Sequence, residues 1–187
     1  MIACNSNQAL PKDYAALLNK KENAHSAGEA HSNGQLIRTI ACNTKTSDLK
    51  DFPDGKIPWV DIKNNSTGKQ DIIDATEVVI KEHKITVQID YPLNKPYSFE
   101  LSSANGFTRA QLIQAIIDNY NKIYQEEEAT AIVKTVPLKE RKGMSNRNET
   151  NGKYGIWGHD IDDLSLSEIE VYRAADGKIT LGLGMES

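Results

Sequence analysis

The sequence predicts an α+β fold: an antiparallel sheet of two β-hairpins with one main helix packed across it, in the order β-β-α-β-β. Three patterns carry this prediction. Residues 85–91 and 97–101 alternate apolar and polar side chains with period two, residues 112–124 repeat apolar side chains at helical spacing, and residues 164–183 return to period two around a turn. A ubiquitin-like β-grasp has the same order of elements, by analogy alone.

Residues 1–35 read as a polar N-terminal arm, rich in Asn, Ser, Ala, His and Lys, with one short helix near 12–24. So little apolar area cannot offset the entropy of ordering, so the arm is expected to be flexible. Residues 36–187 are expected to form one domain. Leu36 to Cys42 reads as a short strand, because Ile37, Thr39 and Ile40 suit a pleated surface. Turn formers then dominate residues 43–71, including Pro53-Asp54-Gly55 and Asn64-Asn65-Ser66-Thr67-Gly68. Trp59, Val60 and Ile62 interrupt them and are expected to dock this stretch on the core.

The first hairpin places Ile85, Val87, Ile89 and Tyr91 on one face and Thr86, Gln88 and Asp90 on the other. Pro92 to Pro96 is its turn, and on the return strand Tyr97, Phe99 and Leu101 alternate with Ser98, Glu100 and Ser102. Thr108 stands three residues before Gln111, the spacing of a capping box. Leu112, Ile113, Ile116, Ile117, Tyr120, Ile123 and Tyr124 then form one apolar stripe. Glutamates 126–128 would oppose the helix dipole in its last turn, so the helix either frays there or runs on towards Ile132.

Residues 137–153 read as a long polar loop, with Lys139 to Lys142 as a solvated charged cluster. In the second hairpin Leu164 and Leu166 alternate in one phase and Ile169 and Val171 in the other, so a bulge is expected near Ser167-Glu168. Ala175-Asp176-Gly177 is the turn, and Ile179, Leu181 and Leu183 complete the last strand.

The chain has 187 residues and a net charge of −4. No Lys/Arg run is long enough to follow a phosphate backbone, so nucleic acid is not an expected partner. No apolar stretch approaches the roughly 18 residues that span a bilayer. Gly-x-Ser-x-Gly elbows and glycine-rich phosphate loops are absent, and Cys4 and Cys42 fit no metal spacing, so no cofactor is expected. Sequons occur at Asn64, Asn65 and Asn148.

Chemistry concentrates in Tyr154-Gly155-Ile156-Trp157-Gly158-His159-Asp160-Ile161-Asp162-Asp163-Leu164. An imidazole with carboxylates can bind a divalent metal or transfer a proton, which makes His159, Asp160, Asp162 and Asp163 the candidate metal ligands, and His159, Asp160 and Asp162 the candidate catalytic groups. The competing reading is structural: aspartates cap turns by accepting backbone N–H bonds, and His159 bonds a carbonyl. Trp157 and Trp59 are the candidate binding residues, Trp157 with a competing role in the core.

Met1-Ile2-Ala3-Cys4-Asn5-Ser6-Asn7 resembles the cleavage region of a bacterial lipoprotein signal, in which a small residue precedes the cysteine that receives the lipid. The resemblance covers seven residues and lacks the charged and most of the apolar part of a signal. It implies lipidation of Cys4, a polar tether after it and attachment to the cell envelope; without it the protein is expected in the cytoplasm. No family is recognised for the folded core.

The function expected is therefore a non-enzymatic binding or interaction module, envelope-tethered if Cys4 is modified, whose ligand is a protein, a small molecule or a glycan. Membrane contact would come only through the lipid. The alternative is a small metal-assisted hydrolase using His159 with Asp160, Asp162 and Asp163. Whether the protein is an enzyme stays open at this point.

Overall fold

A computed structural model describes residues 13–26, 34–63, 70–141 and 146–187. Cys4, Asn64 and Asn65 lie outside these residues. The chain divides into two compact units, residues 1–30 and 31–187. In the first, helix α1 (Tyr14–Ser26) begins just after Asp13, whose carbonyl accepts the Leu17 N–H at 3.0 Å.

The second unit is α+β. Its strands in chain order are β1 (Gln35–Ala41), β2 (Thr44–Lys45), β3 (Lys56–Ile57), β4 (Val60–Asp61), β5 (Val78–Ile80), β6 (Lys84–Ile89), β7 (Tyr97–Ser102) and β8 (Phe107–Thr108). Helix α2 (Arg109–Thr130) follows, then β9 (Ser165–Arg173) and β10 (Ile179–Glu186). The main sheet has six strands in the order β1-β9-β10-β6-β7, with β4 also paired to β9. Pairs β2–β3 and β5–β8 form two small separate sheets.

Both expected hairpins are present: β6 and β7 pair antiparallel from Lys84↔Ser102 to Ile89↔Tyr97, and β9 and β10 from Arg173↔Ile179 to Ser165↔Glu186. Their junction departs from an all-antiparallel sheet. Strands β10 and β6 run parallel, with Ile179 opposite Ile85 and Leu181 opposite Val87. Period-two alternation is the same for either direction of pairing, and a long crossover such as α2 lets strands on its two sides lie parallel. The sheet is also wider than two hairpins. Strand β1 pairs with β9 from Arg173 to Glu168, and β4 pairs with Ser165 and Leu166 of the same strand.

The expected bulge lies where β9 meets β10. The register slips between Gly184↔Glu168 and Met185↔Leu166, so Ser167 is the extra residue. That slip lets Leu166, Ile169 and Val171 all be buried despite their change of phase.

Helix α2 starts as the sequence predicts. The Thr108 side chain accepts the Gln111 N–H at 3.3 Å, and the Gln111 side chain accepts the Thr108 N–H at 2.9 Å. Its stripe from Leu112 to Tyr124 is buried, together with Ile85, Val87 and Ile89 of β6 and Ile179, Leu181 and Leu183 of β10. Burial of each such side chain stabilises the fold by about 1.5–3 kcal/mol relative to exposure. Bonds from α2 to its surroundings fix its position: the Tyr120 hydroxyl donates to the Tyr91 carbonyl at 2.8 Å, and the Tyr97 hydroxyl donates to Asn119 at 3.2 Å.

The helix takes the second of its two expected courses and runs on past the glutamates, whereas the polar stretch after it differs from expectation. The helix continues to Thr130, and Glu127 within its last turn is fully buried. Arg141, Arg147, Asn148 and Thr150 are buried too. Part of the stretch expected to be a solvated loop is thus packed, because its polar groups bond each other and the backbone, while Lys139 and Glu140 are exposed as expected. The Asn148 amide accepts the Val136 N–H at 2.7 Å and donates to the Lys134 carbonyl at 3.1 Å, and Asn151 accepts the N–H groups of Ile132 and Val133.

Candidate functional site

The segment Tyr154 to Leu164 is held from below by α2. The Glu127 carboxylate accepts three backbone N–H groups, from Gly152 at 2.7 Å, Tyr154 at 2.7 Å and Gly155 at 3.1 Å. Glycine is required at two of these positions. A Cβ on Gly152 would stand 2.7 Å from the Glu127 carbonyl, and Gly155 has φ +69°. Burial raises the Glu127 pKa, but bonds from the Thr150 side chain and from the Tyr154, Gly152 and Gly155 N–H groups outweigh it and hold the carboxyl below its usual range.

This anchoring delivers Trp157 and His159 to an aromatic cluster. Trp157 is 4% exposed and meets the Tyr91 ring edge-on at 5.3 Å. The His159 ring lies 5.4 Å from Tyr91 and 5.9 Å from Trp157. Its backbone carbonyl accepts the Tyr124 hydroxyl at 2.9 Å. Burial pushes the Tyr124 phenol pKa up and the nearby Arg147 only partly offsets it, so Tyr124 is a neutral donor.

Each of the three aspartates has a bonding partner in the fold. Asp160 forms a two-pronged ion pair with Arg141, at 2.6 and 3.0 Å, and lies 3.9 Å from Arg147. The Arg141 side chain is 2% exposed and also donates to the Val136 carbonyl at 2.8 Å. Arg147 stacks 5.2 Å from the Tyr124 ring. Asp163 accepts the Asp160 N–H at 2.8 Å across the 3₁₀ turn Ile161–Asp163, and Asp162 pairs with Lys63 at 2.7 Å. The carboxylates adjacent in sequence therefore point to three different partners. Among the described residues no three His, Cys, Asp or Glu side chains could together hold a metal ion.

Trp59 occupies a different place. Val60 and Ile62 are fully buried, and the Ile62 N–H donates to the Leu164 carbonyl at 3.0 Å. These contacts and the β4–β9 pairing set Trp59 at the start of β9. It is half-buried, with Phe52 edge-on at 5.9 Å and Thr44 donating to its carbonyl at 3.2 Å. Beside it opens a cleft of about 530 Å³, lined by Pro58, Trp59, Asp61, Asp163, Ser165, Ser167, Glu186 and Ser187. The Ser165 hydroxyl donates to Asp61 at 3.0 Å and the Ser167 hydroxyl to the Gly184 carbonyl at 3.0 Å.

Of the sequence-predicted residues, the structure brings Trp59 and Asp163 to this cleft and leaves Trp157 in the core. Asp61, Ser165, Ser167 and Glu186 join them there without having stood out by residue type. One signal for them exists: Trp59, just before β4, alternates with Asp61 around the buried Val60, and Ser165 and Ser167 alternate with the buried Leu164 and Leu166. Only the pairing of β4 with β9 turns those two faces into one wall.

Cys42 is free and buried, and burial pushes its thiol up to about 12, so it is protonated and unreactive at neutral pH. Among the described residues no helix is long and apolar enough to cross a membrane. No protein-family model, no curated protein and no solved structure matches this chain.

Proposed function

We propose that the chain is a non-enzymatic binding module whose ligand site is the cleft beside Trp59. The observation that carries this reading is the cleft itself. Its volume of about 530 Å³ falls in the range of small-molecule and side-chain pockets, and it combines an aromatic wall with carboxylates and hydroxyls. Trp157 does not share in it, because its ring is consumed by the contact with Tyr91.

The metal-assisted hydrolase built on His159 gains no support from this geometry. A general base or metal ligand needs a carboxylate aimed at a shared point, whereas Asp160 is neutralised by Arg141 and Asp162 by Lys63. The sheet order, with β7-β6-β10-β9 adjacent and β6 parallel to β10, supports reading the core as a β-grasp-like β-β-α-β-β unit carrying β1 and β4 as additions. Attachment to the cell envelope through Cys4 belongs to the same proposal and rests on the Met1–Asn7 pattern alone. Metabolic labelling with a palmitate analogue tests it: label on the protein that is lost in Cys4→Ala supports the tether, and no label removes it.

The binding reading is tested by titrating ¹⁵N-labelled protein with a panel of saccharides, amino-acid amides and alkylamines while following the Trp59 indole signal. A saturable shift at Trp59 and Ser165 with at least one panel member is expected. Shifts confined to the Trp157 and His159 region would overturn the assignment of the site.

A further inference from the structure

The cleft selects by charge as well as by shape. Resting on the binding reading above, we infer that its ligand presents an alkylammonium or guanidinium group, seated between the Trp59 ring and the carboxylates of Asp61, Asp163 and Glu186.

Three side chains lining the cleft are carboxylates, and among the described residues no Lys or Arg lines it. The bond that Asp163 accepts within its own turn comes from a neutral backbone N–H, so its negative charge is kept. Glu186 is exposed at the end of β10, across the ladder from Ser165 of β9. Asp61 lies on the other side of Ser165, opposite it in the β4–β9 pair. Asp61 and Glu186 thus stand on both sides of Ser165 on paired strands, with Asp163 in the 3₁₀ turn just before β9, and together they concentrate a negative potential at the cleft. The half-buried Trp59 contributes the second element. The face of an indole attracts a cation within about 6 Å of its centroid, and attracts it most when the cation is partly desolvated. The apolar Pro58 next to it suits the methylene stem that carries such a cation. An anionic ligand would meet three like charges. A neutral sugar could stack on Trp59 but would bring no charge to complement Asp163 and Glu186.

The experiment uses the full chain. Agmatine, the peptide acetyl-Gly-Arg-Gly-amide and maltose are titrated separately, with the Trp59 indole and the Ser165 and Ser167 amides as readouts. Agmatine and the peptide share the guanidinium, and their relative affinities say whether a free amine or a peptide side chain is preferred. Saturable shifts are expected with both cations and none with maltose. Raising salt from about 50 to 500 mM should weaken cation binding at least several-fold, since partly exposed charges are screened over such distances. Combining Glu186→Gln with Asp163→Asn should lower the affinity about tenfold. The amide introduced by Asp163→Asn keeps an oxygen for the Asp160 N–H, and the salt titration on the unaltered protein gives an independent reading should the double variant fold poorly. Cation shifts that ignore both salt and the double substitution would overturn the inference. Shifts with maltose but with neither cation would overturn the ligand class while leaving the binding cleft standing. No shift at Trp59 with any of the three would count against this inference, and against the binding reading as well once the wider panel is also silent.

Discussion

The carboxylate of Glu127 accepts the backbone N–H of Tyr154 at 2.7 Å, so the last turn of α2 and the segment carrying Trp157 and His159 are one structural unit. Two further N–H groups, of Gly152 and Gly155, share the same carboxylate. A glutamate that opposes the helix dipole is tolerated at this position because three donors compensate it.

Glu127→Ala should therefore destabilise the protein by about 3 kcal/mol or more, because it strands several buried donors at once. Glu127→Gln retains one acceptor oxygen and should cost less. Urea titrations of both variants check the order, and equal, small losses would mean that water replaces the carboxylate without penalty.

The same group sets an acid dependence. Its folded pKa is depressed below the ordinary value of 4.5, so its contribution is fully present above that value. That contribution is lost as pH falls through the lower, folded pKa. Melting temperature measured from pH 7 to 3 should drop below about pH 4.5, and the drop should be shallower in Glu127→Gln. Identical profiles for the two proteins would assign the acid sensitivity to other carboxylates.

Asp160→Ala should cost about 3 kcal/mol, near the low end for breaking a buried ion pair, because Asp160 itself is 28% exposed while Arg141 is almost fully buried. Asp163→Ala removes one backbone bond and should cost about 1 kcal/mol. A cost for Asp163→Ala larger than that for Asp160→Ala, by chemical denaturation, would contradict the role given to Arg141.

Zinc or manganese added to the protein should leave its melting temperature unchanged, since the three aspartates have separate partners and a ligand stabilises only the state it binds. A metal-dependent rise that disappears in His159→Ala would restore the hydrolase reading.

On α2, Ile117→Ala should cost about 2–5 kcal/mol, because Ile117 is fully buried. Gln114→Ala loses only an exposed i,i+4 bond to Asp118, at 2.8 Å, and should stay within about 0.5 kcal/mol. Comparable losses in thermal melts would contradict the burial of the stripe.

Strands β6 and β7, the capping box at Thr108, the stripe of α2 and the bulge at Ser167 were legible because each is a local pattern. Period, cap spacing and a change of phase are written in consecutive residues. The roles of Glu127, Arg141 and Asn148 were not legible. A charged or amide side chain in a polar stretch reads as solvated, and only a partner about 12 to 27 residues away makes its burial favourable. The cleft was half legible: Trp59 and Asp163 stood out by residue type, while Glu186 and Ser165 gained meaning only from their neighbours on adjacent strands.

By itself, the amino-acid order determined β1, the strands of the two hairpins and the main helix, and which face of each hairpin strand and of the helix is apolar, since backbone geometry ties side-chain direction to sequence spacing; the short strands β2, β3, β4, β5 and β8 carry no such local pattern. Tertiary structure alone decided that β10 runs parallel to β6, that β4 docks on β9, and that neighbouring aspartates point to different partners. Pairing direction and charge pairing join residues far apart in the chain, and their free energy depends on distance and burial, neither of which a local pattern encodes.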